Sequence, residues 1–342
     1  MQSVSVASAD AHRQAARVPT CINSQGTKYV RLRCPQCTEH LGAVAYHALG
    51  QVHQPIKCRQ CSATLLQQQQ IWLALPENRR RYFERFIHDY EIVRRVEGRG
   101  SEDPAFYLSL PYRDRTKRYS AQWAIRARTY KYIQRKILRA SKGTPLAVLD
   151  LGAGNGWLSY RLATLGHRPI AVDLQTNAFD GLGAAVHYRR ALPMAFPRFQ
   201  AELDRLPFEA GQFDCAIFNA SFHYSENYDA TLSEAIRCLR PGGTILIADT
   251  PSYEREESGR QMARERRLLF QETFGLASDS LASCEYITKD RLLALEARYP
   301  LEWKTHQVWY GFRWACRPLV AKFKGRREPA QFRIYTAQVK MT

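Results

Sequence analysis

The residues best suited to chemistry are Gly152, Gly154 and Gly156, set at alternate positions in AVLDLGAGNGWLS just after Asp150. Glycines at that spacing let the chain turn sharply through φ values a side chain resists, and let a ligand lie against bare backbone. Asp173 ends a second short apolar run, HRPIAVD, 19 residues past Gly154 (173 minus 154), and Leu174 follows it. An acid at the tip of the second strand of a βαβ unit accepts hydrogen bonds from the two hydroxyls of a ribose. A nucleoside is the expected ligand. The spacing here is G-x-G-x-G, whereas G-x-G-x-x-G seats a pyrophosphate on a helix N-terminus. That departure favours a nucleoside without phosphates.

Cys34 and Cys37 form one C-x-x-C and Cys58 and Cys61 a second, with 20 residues between Cys37 and Cys58. Two such knuckles place four thiolates around one tetrahedral zinc about 2.3 Å from each sulfur. A reducing cytoplasm disfavours the alternative, a pair of disulfides. Four cysteine ligands leave no open position for water, so the zinc is expected to be structural. It substitutes for the core that so short a module cannot build. Cys21, Cys215, Cys238, Cys284 and Cys316 are scattered and carry no expected chemistry.

These residues must be held by elements that the apolar patterning outlines. Ala147–Leu151 reads as a strand, Gly156–Leu165 as the helix after the glycine loop, and Ile170–Asp173 as a second strand. Phe213–Asn219 reads as a strand buried on both faces, followed by a helix over Tyr228–Leu239. Leu301–Val308 and Phe332–Val339 are the last two strands. Ahead of the glycine loop, apolar Phe83, Phe86, Ile87, Tyr90 and Val93 recur at helical spacing. Ser120–Arg139 carries Trp123, Ala127, Tyr130, Ile133 and Ile137 on one face and Arg128, Lys131, Arg135 and Arg139 on another. Between them Phe106, Tyr107, Leu110 and Tyr112 either fold over a substrate as a lid or pack an interdomain linker on the core. The expected division is a disordered tail 1–27, a zinc ribbon 28–66, a basic helical linker or cap region 67–142 and a catalytic domain 143–342.

No apolar run reaches about 18 residues and the N-terminus lacks a signal-peptide core, so a cytoplasmic protein without transmembrane helices is expected. The net charge of +18 is unevenly spread. Residues 1–142 carry 25 Lys+Arg against 10 Asp+Glu, residues 143–303 carry 16 against 21, and residues 304–342 carry 9 against 1. Basic flanks on an acidic core suit RNA, a phosphorylated metabolite or an anionic membrane surface, or serve solubility alone. The segment WYGFRWACRPLVAKFKGRREPA interleaves aromatics with cations. That pattern stacks bases, seats in a membrane interface, or simply covers a pocket.

With the glycine loop and Asp173, the runs ELDRLPF, FDCAIFN and CLRPGGTILIAD occur in an order that resembles class I methyltransferases using S-adenosylmethionine. The resemblance covers Ala147–Pro251 well and the C-terminal strands loosely. It is closest to the group that includes quinone-methylating enzymes. A four-cysteine ribbon ahead of such a domain also resembles the 23S rRNA guanine methyltransferases. The implied fold class is α/β, a Rossmann-like, doubly wound, seven-stranded sheet preceded by the ribbon and the helical region.

The resemblance implies a cofactor set of Asp150, Gly152, Gly154, Gly156, Asp173, Leu174, Glu202, Leu203 and Asn219. In it the Glu202 carboxylate meets the adenine amine and the Leu203 backbone N–H meets the ring. His223 and Tyr224, beyond the fourth strand, are the catalytic candidates. His223 is either a general base of near-neutral pKa or a packed pocket histidine. The fourth motif reads NASF, not the N-P-P-Y type that grips an exocyclic amine, which weakens methylation of adenine N6 or glutamine. Three functions follow: methylation of a small metabolite or lipid-like acceptor, methylation of rRNA or tRNA held by ribbon and basic flanks, or a silent module that binds S-adenosylmethionine or a partner.

Overall fold

A computed structural model describes residues 29–51, 54–138, 144–275 and 280–340. The expected tail 1–27 lies outside the described residues, as does Arg139.

The chain opens with five short strands, β1 (Tyr29–Arg33), β2 (His40–Ala45), β3 (Ile56–Lys57), β4 (Thr64–Gln68) and β5 (Ile71–Leu73). A four-residue turn α1 (Tyr46–Leu49) lies between β2 and β3. Helices α2 (Glu77–Val96), α3 (Pro104–Ser109) and α4 (Ser120–Tyr132) follow, and α4 runs into a π-helical turn at Ile133–Ile137. The expected helix 120–139 therefore loses α-helical register after Tyr132.

The catalytic region supplies β6 (Ala147–Leu151), α5 (Trp157–Thr164), β7 (Arg168–Asp173), β8 (Arg198–Gln200), β9 (Phe213–Asn219), α6 (Tyr228–Cys238) and β10 (Leu239–Ala248). The C-terminal part adds β11 (Ser252–Tyr253), α7 (Glu256–Phe274), β12 (Ile287–Thr288) and α8 (Lys289–Arg298). It ends with β13 (Trp303–His306), α9 (Phe312–Ala315), α10 (Arg317–Phe323) and β14 (Ile334–Gln338).

Seven strands run β8-β7-β6-β9-β10-β14-β13, parallel except for β14, which pairs antiparallel with both β10 and β13. Order reverses between β6 and β9, and ligands bind beyond the strand C-termini at such a switch point. All five residues of β6 are buried, as expected of a parallel strand covered on both faces.

The sheet does not stop at seven strands. β5 pairs parallel with β8 (Ile71 opposite Arg198), and β4 and β3 extend it antiparallel to ten. The boundary expected between 66 and 67 thus falls inside β4. Gln69 and Gln70 make the β4–β5 turn with φ of 50° and 61°. That turn favours Asn-Gly, which explains why four glutamines gave no hairpin signal.

Alternation along the strands divides the core between two faces. Leu149, Leu151, Ile170, Val172 and Phe218 pack on one side with Val30, Leu32 and Leu65 of the ribbon region and Leu232 of α6. Val148, Ala171, Ile217 and Leu246 pack on the other with Phe106, Tyr107, Trp123, Tyr130 and Trp157. The ribbon region and the α3–α4 segment are therefore integral walls of the same core.

β1 reaches further than packing. Leu32 bridges to Phe208, Arg33 N donates to Pro207 O at 3.2 Å, and Arg33 Nη2 donates to Glu234 Oε1 at 2.9 Å. The ribbon holds the Leu206–Phe208 segment, which immediately follows Glu202 and Leu203.

Candidate functional site

A cleft of about 1080 Å³, open mouth included, lies beyond the C-termini of β6–β9. Of the residues expected to bind a nucleoside, Gly152, Gly154, Asp173, Leu174, Glu202, Leu203 and Asn219 line it, and so does Tyr224. The loop can exist only as glycine at its first position. Gly152 has φ 77°, and a Cβ there would fall 2.2 Å from Ser221 Cβ.

Asp173 fixes the loop as well as facing the cleft. Its Oδ2 accepts from Gly154 N at 2.8 Å and its Oδ1 from Gln175 N at 2.8 Å. Burial raises its pKa, and those backbone bonds oppose the rise.

Three expected site residues stand elsewhere. Asp150 does not reach the cleft; it is buried, and its Oδ2 accepts from Ser159 N (3.0 Å) and Ser159 Oγ (2.7 Å). It is an anchor for the first turns of α5. Burial drives its pKa up to about 7, with the Ser159 bonds opposing. Gly156 is the left-handed residue preceding α5 and faces Phe196 rather than the cleft.

His223 is not among the lining residues either. Its Nδ1 is buried without a hydrogen-bond partner, and burial, with the Arg266 and Arg126 charges, pushes its pKa down to about 3. A neutral imidazole that weakly basic is unsuited to the general-base role expected for it. Tyr224, its neighbour, does face the cleft, with its ring 6.0 Å from Tyr90 and 6.4 Å from Phe86.

Glu202 sits deep and is held from one side. Arg79 of α2 donates to Oε2 through Nε at 2.8 Å and approaches the same atom through Nη2 at 2.7 Å. Oε1 has Arg205 Nε at 3.3 Å but accepts no hydrogen bond, although it is buried. A buried carboxylate oxygen without a donor is a strong acceptor in search of one. An exocyclic amine entering the cleft supplies it, so this residue fits S-adenosylmethionine.

The wall that closes the cleft was not legible as such. Phe83, Phe86, Tyr90 and Arg94 of α2, Arg126 of α4 and Leu281 all line it. The helical spacing of Phe83, Phe86 and Tyr90 was visible, but an apolar stripe looks the same whether it meets a core or a ligand. Arg94 is paired with Asp180, which also accepts from Asn155 Nδ2 at 3.2 Å. Of the two readings of Phe106, Tyr107, Leu110 and Tyr112, packing on the core holds for the first three, which are buried, with Tyr107 Oη donating to Phe179 O at 2.6 Å, while Tyr112 is exposed and does not line the cleft.

The four ribbon cysteines converge. Their sulfurs lie within 4.8 Å of one another, with Cys34–Cys61 and Cys37–Cys58 both at 3.5 Å. A tetrahedral site with 2.3 Å bonds requires sulfurs about 3.8 Å apart. The two knuckles are built alike: Thr38 N donates to Cys34 O (2.9 Å) and Ser62 N to Cys58 O (3.1 Å), with φ of 67° and 60° at Thr38 and Ser62. This geometry fits zinc. Cys215 and Cys238 are buried, and desolvation pushes both thiols up to about 12.

Residues 149–247 match the family described as a methyltransferase domain. A malonyl-acyl-carrier-protein O-methyltransferase of Yersinia pestis is 30% identical over 116 residues, 34% of this chain and 41% of that protein. A ubiquinone/menaquinone biosynthesis C-methyltransferase of Rhizobium johnstonii is 31% identical over 36% of this chain and 48% of its own length. A fatty-acid O-methyltransferase of Mycolicibacterium smegmatis is 28% identical over 54% of this chain and 62% of its own. The matched segments thus span less than two thirds of these relatives. Sheet order, glycine loop and family match agree over residues 149–247, which are similar to the domain of class I, S-adenosylmethionine-dependent methyltransferases.

Proposed function

We propose that the protein transfers a methyl group from S-adenosylmethionine to a small or lipid-like acceptor. The observation that carries this reading is the convergence of the glycine loop, Asp173 and Glu202 Oε1, which accepts no hydrogen bond, on one cleft with an aromatic wall. When bound, the donor supplies an electrophilic methyl on a positively charged sulfur. Gly152 and Gly154 offer bare backbone to it, Asp173 the acceptor atoms for its sugar, and Glu202 Oε1 the acceptor for its amine.

The chain's own contribution is then orientation and dryness. Phe83, Phe86 and Tyr90 cover the cleft, which excludes water and holds the reacting atoms at attack distance. The four cysteines hold a structural zinc in this reading. Asn219, Ser221 and Tyr224, at the end of β9, face the acceptor. Because His223 is half-buried, with its Nδ1 buried, and weakly basic, an acceptor already deprotonated at neutral pH suits the site best. The names of the malonyl- and fatty-acid-methylating relatives accord with such acceptors.

The α9–α10 excursion between β13 and β14 favours a lipid surface over RNA as partner. Phe312 (79% exposed), Phe323 (90%), Trp309, Leu319 and Val320 project from it, and residues 304–327 carry seven cations and no acid. Exposed Leu and Val gain nothing from stacking bases but do gain from an acyl boundary. No described helix is long and apolar enough to cross a membrane, and the association proposed through this excursion is a peripheral one.

Labelled methyl donor incubated with fractionated cell extract tests the reading. Label in lipid or small acids is expected. Label confined to RNA overturns the acceptor class, and donor binding without any labelling overturns catalysis in favour of a silent module.

A further inference from the structure

Arg126 is the cation in the cleft without a counter-ion. Arg79 is held by Glu202 and Arg94 by Asp180, but Arg126, on α4, makes no hydrogen bond or ion pair among the described residues. Its one recorded contact is a cation–π approach, with Cζ 4.8 Å from the Trp123 ring. Desolvation pushes its pKa down, and the field of Asp249 opposes this. Arg126 is half-buried on the cleft wall, so its guanidinium presents donors that no protein acceptor occupies and that a ligand can take up.

Its position selects which ligand that is. The donor determinants sit at β6, β7 and β8, namely Gly152, Gly154, Asp173 and Glu202. Arg126 feels Asp249, at the end of β10, most strongly and Arg94, Arg99 and Asp180 after it, and its charge reaches His223, just past β9; the ends of β9 and β10 are the acceptor half in this reading. There the wall is apolar, from Phe86, Tyr224, Trp157 and Leu281. Thr129, three residues along α4, ties Asp249 Oδ1 (2.7 Å) and Tyr310 Oη (2.8 Å) to the same helix. One oxygen of Asp249 is thereby engaged, while its Oδ2 is buried without a hydrogen-bond partner and makes no ion pair with Arg126 among the described residues. Asp249 has φ 50° and Ala220, at the end of β9, φ 58°. Non-glycine residues held in that region concentrate at ligand-binding sites.

We propose that Arg126 anchors a carboxylate of the methyl acceptor, so that the acceptor is an amphiphilic acid with its apolar body against Phe86, Tyr224 and Leu281. The planar guanidinium offers paired donors that match the two oxygens of a carboxylate. This rests on the methyl-transfer reading above, since it presumes the donor in the other half of the cleft.

The test uses the full chain saturated with S-adenosylhomocysteine and titrated calorimetrically with decanoate and with decanol. Decanoate should bind the unaltered protein about tenfold or more tighter than decanol, the worth of one charged hydrogen-bonded contact. Arg126→Met should bring the two probes to parity, and Arg126→Lys, which keeps charge but loses the fork, should retain part of the preference. Both variants should bind S-adenosylhomocysteine as the unaltered protein does. Three results overturn the proposal: no preference in the unaltered protein, a preference that survives Arg126→Met, or loss of S-adenosylhomocysteine affinity in Arg126→Met. The last would assign the arginine to the donor's own carboxylate. Failure of the unaltered protein to bind S-adenosylhomocysteine at all would instead overturn the methyl-transfer reading.

Discussion

Replacing Glu202 by glutamine separates the adenine contact from everything else in the cleft. The carboxylate now divides its work: Oε2 is committed to Arg79 and Oε1 is free to accept. Glutamine retains one acceptor. If that oxygen stays with Arg79, the amide NH2 faces the adenine amine, donor against donor; if it turns to the adenine, the NH2 faces a guanidinium. Either way one charged hydrogen bond is lost, about 1.5–3 kcal/mol, which is about 10- to 150-fold in donor affinity.

A partner ligand turns this into a cycle. S-inosylhomocysteine carries a carbonyl where adenine has its amine, so the native carboxylate should repel it and the glutamine NH2 should welcome it. Glu202→Gln should therefore weaken S-adenosylhomocysteine and strengthen the inosine analogue, and the coupling between the two changes measures the contact itself. Calorimetry on four combinations, with thermal melting of each unliganded protein, is sufficient. A variant that folds normally and still prefers adenine by the native factor would refute the assignment of Glu202 to the base.

Four other outcomes are expected. Metal analysis should find one zinc per chain, and its removal by chelation should lower Tm and also weaken S-adenosylhomocysteine binding, because β1 bridges Leu32 to Phe208 beside the Glu202 loop; unchanged affinity after zinc loss would separate ribbon from cleft. Asp150 has a folded pKa of about 7 against 3.8 free, so below pH 4 it is protonated in both states, and between pH 4 and 7 the unfolded state alone loses its proton and stability falls. The fall approaches about 4 kcal/mol across that window, and Asp150→Asn should abolish its share of the slope in urea titrations at pH 5 and pH 8. Gly152→Ala should cost donor affinity more than about tenfold through strain at φ 77° and the Ser221 contact, and Ser221→Gly in the same chain should restore part of it. Finally, vesicles with anionic lipid should sediment the protein in low salt, and Phe312→Ser with Phe323→Ser should release it; equal sedimentation of that double variant would remove the α9–α10 excursion as a lipid contact.

What could be read from the chain and what could not divide along a physical line. Gly152, Asp173 and Glu202 were legible because each does its work within a few residues of its own strand end, where spacing alone determines which atoms face the ligand. The cysteines were legible because two identical knuckles need only meet. The α2 wall was not, because Phe83, Phe86 and Tyr90 satisfy the same periodicity in a core or over a cleft, and only the tertiary placement of α2 decides. Asp150 and His223 failed for a related reason. A one-residue step along a strand end or its following turn moves a side chain from the ligand to the interior, and no local pattern marks that step.

The same reasoning changes the standing of the N-terminal third. Read as sequence, ribbon and helices looked like appendages to a catalytic domain that starts near residue 143. In the fold, β5 hydrogen-bonds to β8, β1 grips the loop that carries Glu202, Arg79 of α2 holds the Glu202 carboxylate, and Arg126 of α4 lines the cleft. A cleft whose cover and free cation both arrive from residues 29–138 is incomplete without them. Truncation at residue 143 should thus leave a chain lacking one wall of each core face and the five cleft-lining side chains Phe83, Phe86, Tyr90, Arg94 and Arg126, and such a fragment is expected neither to fold stably nor to bind the donor.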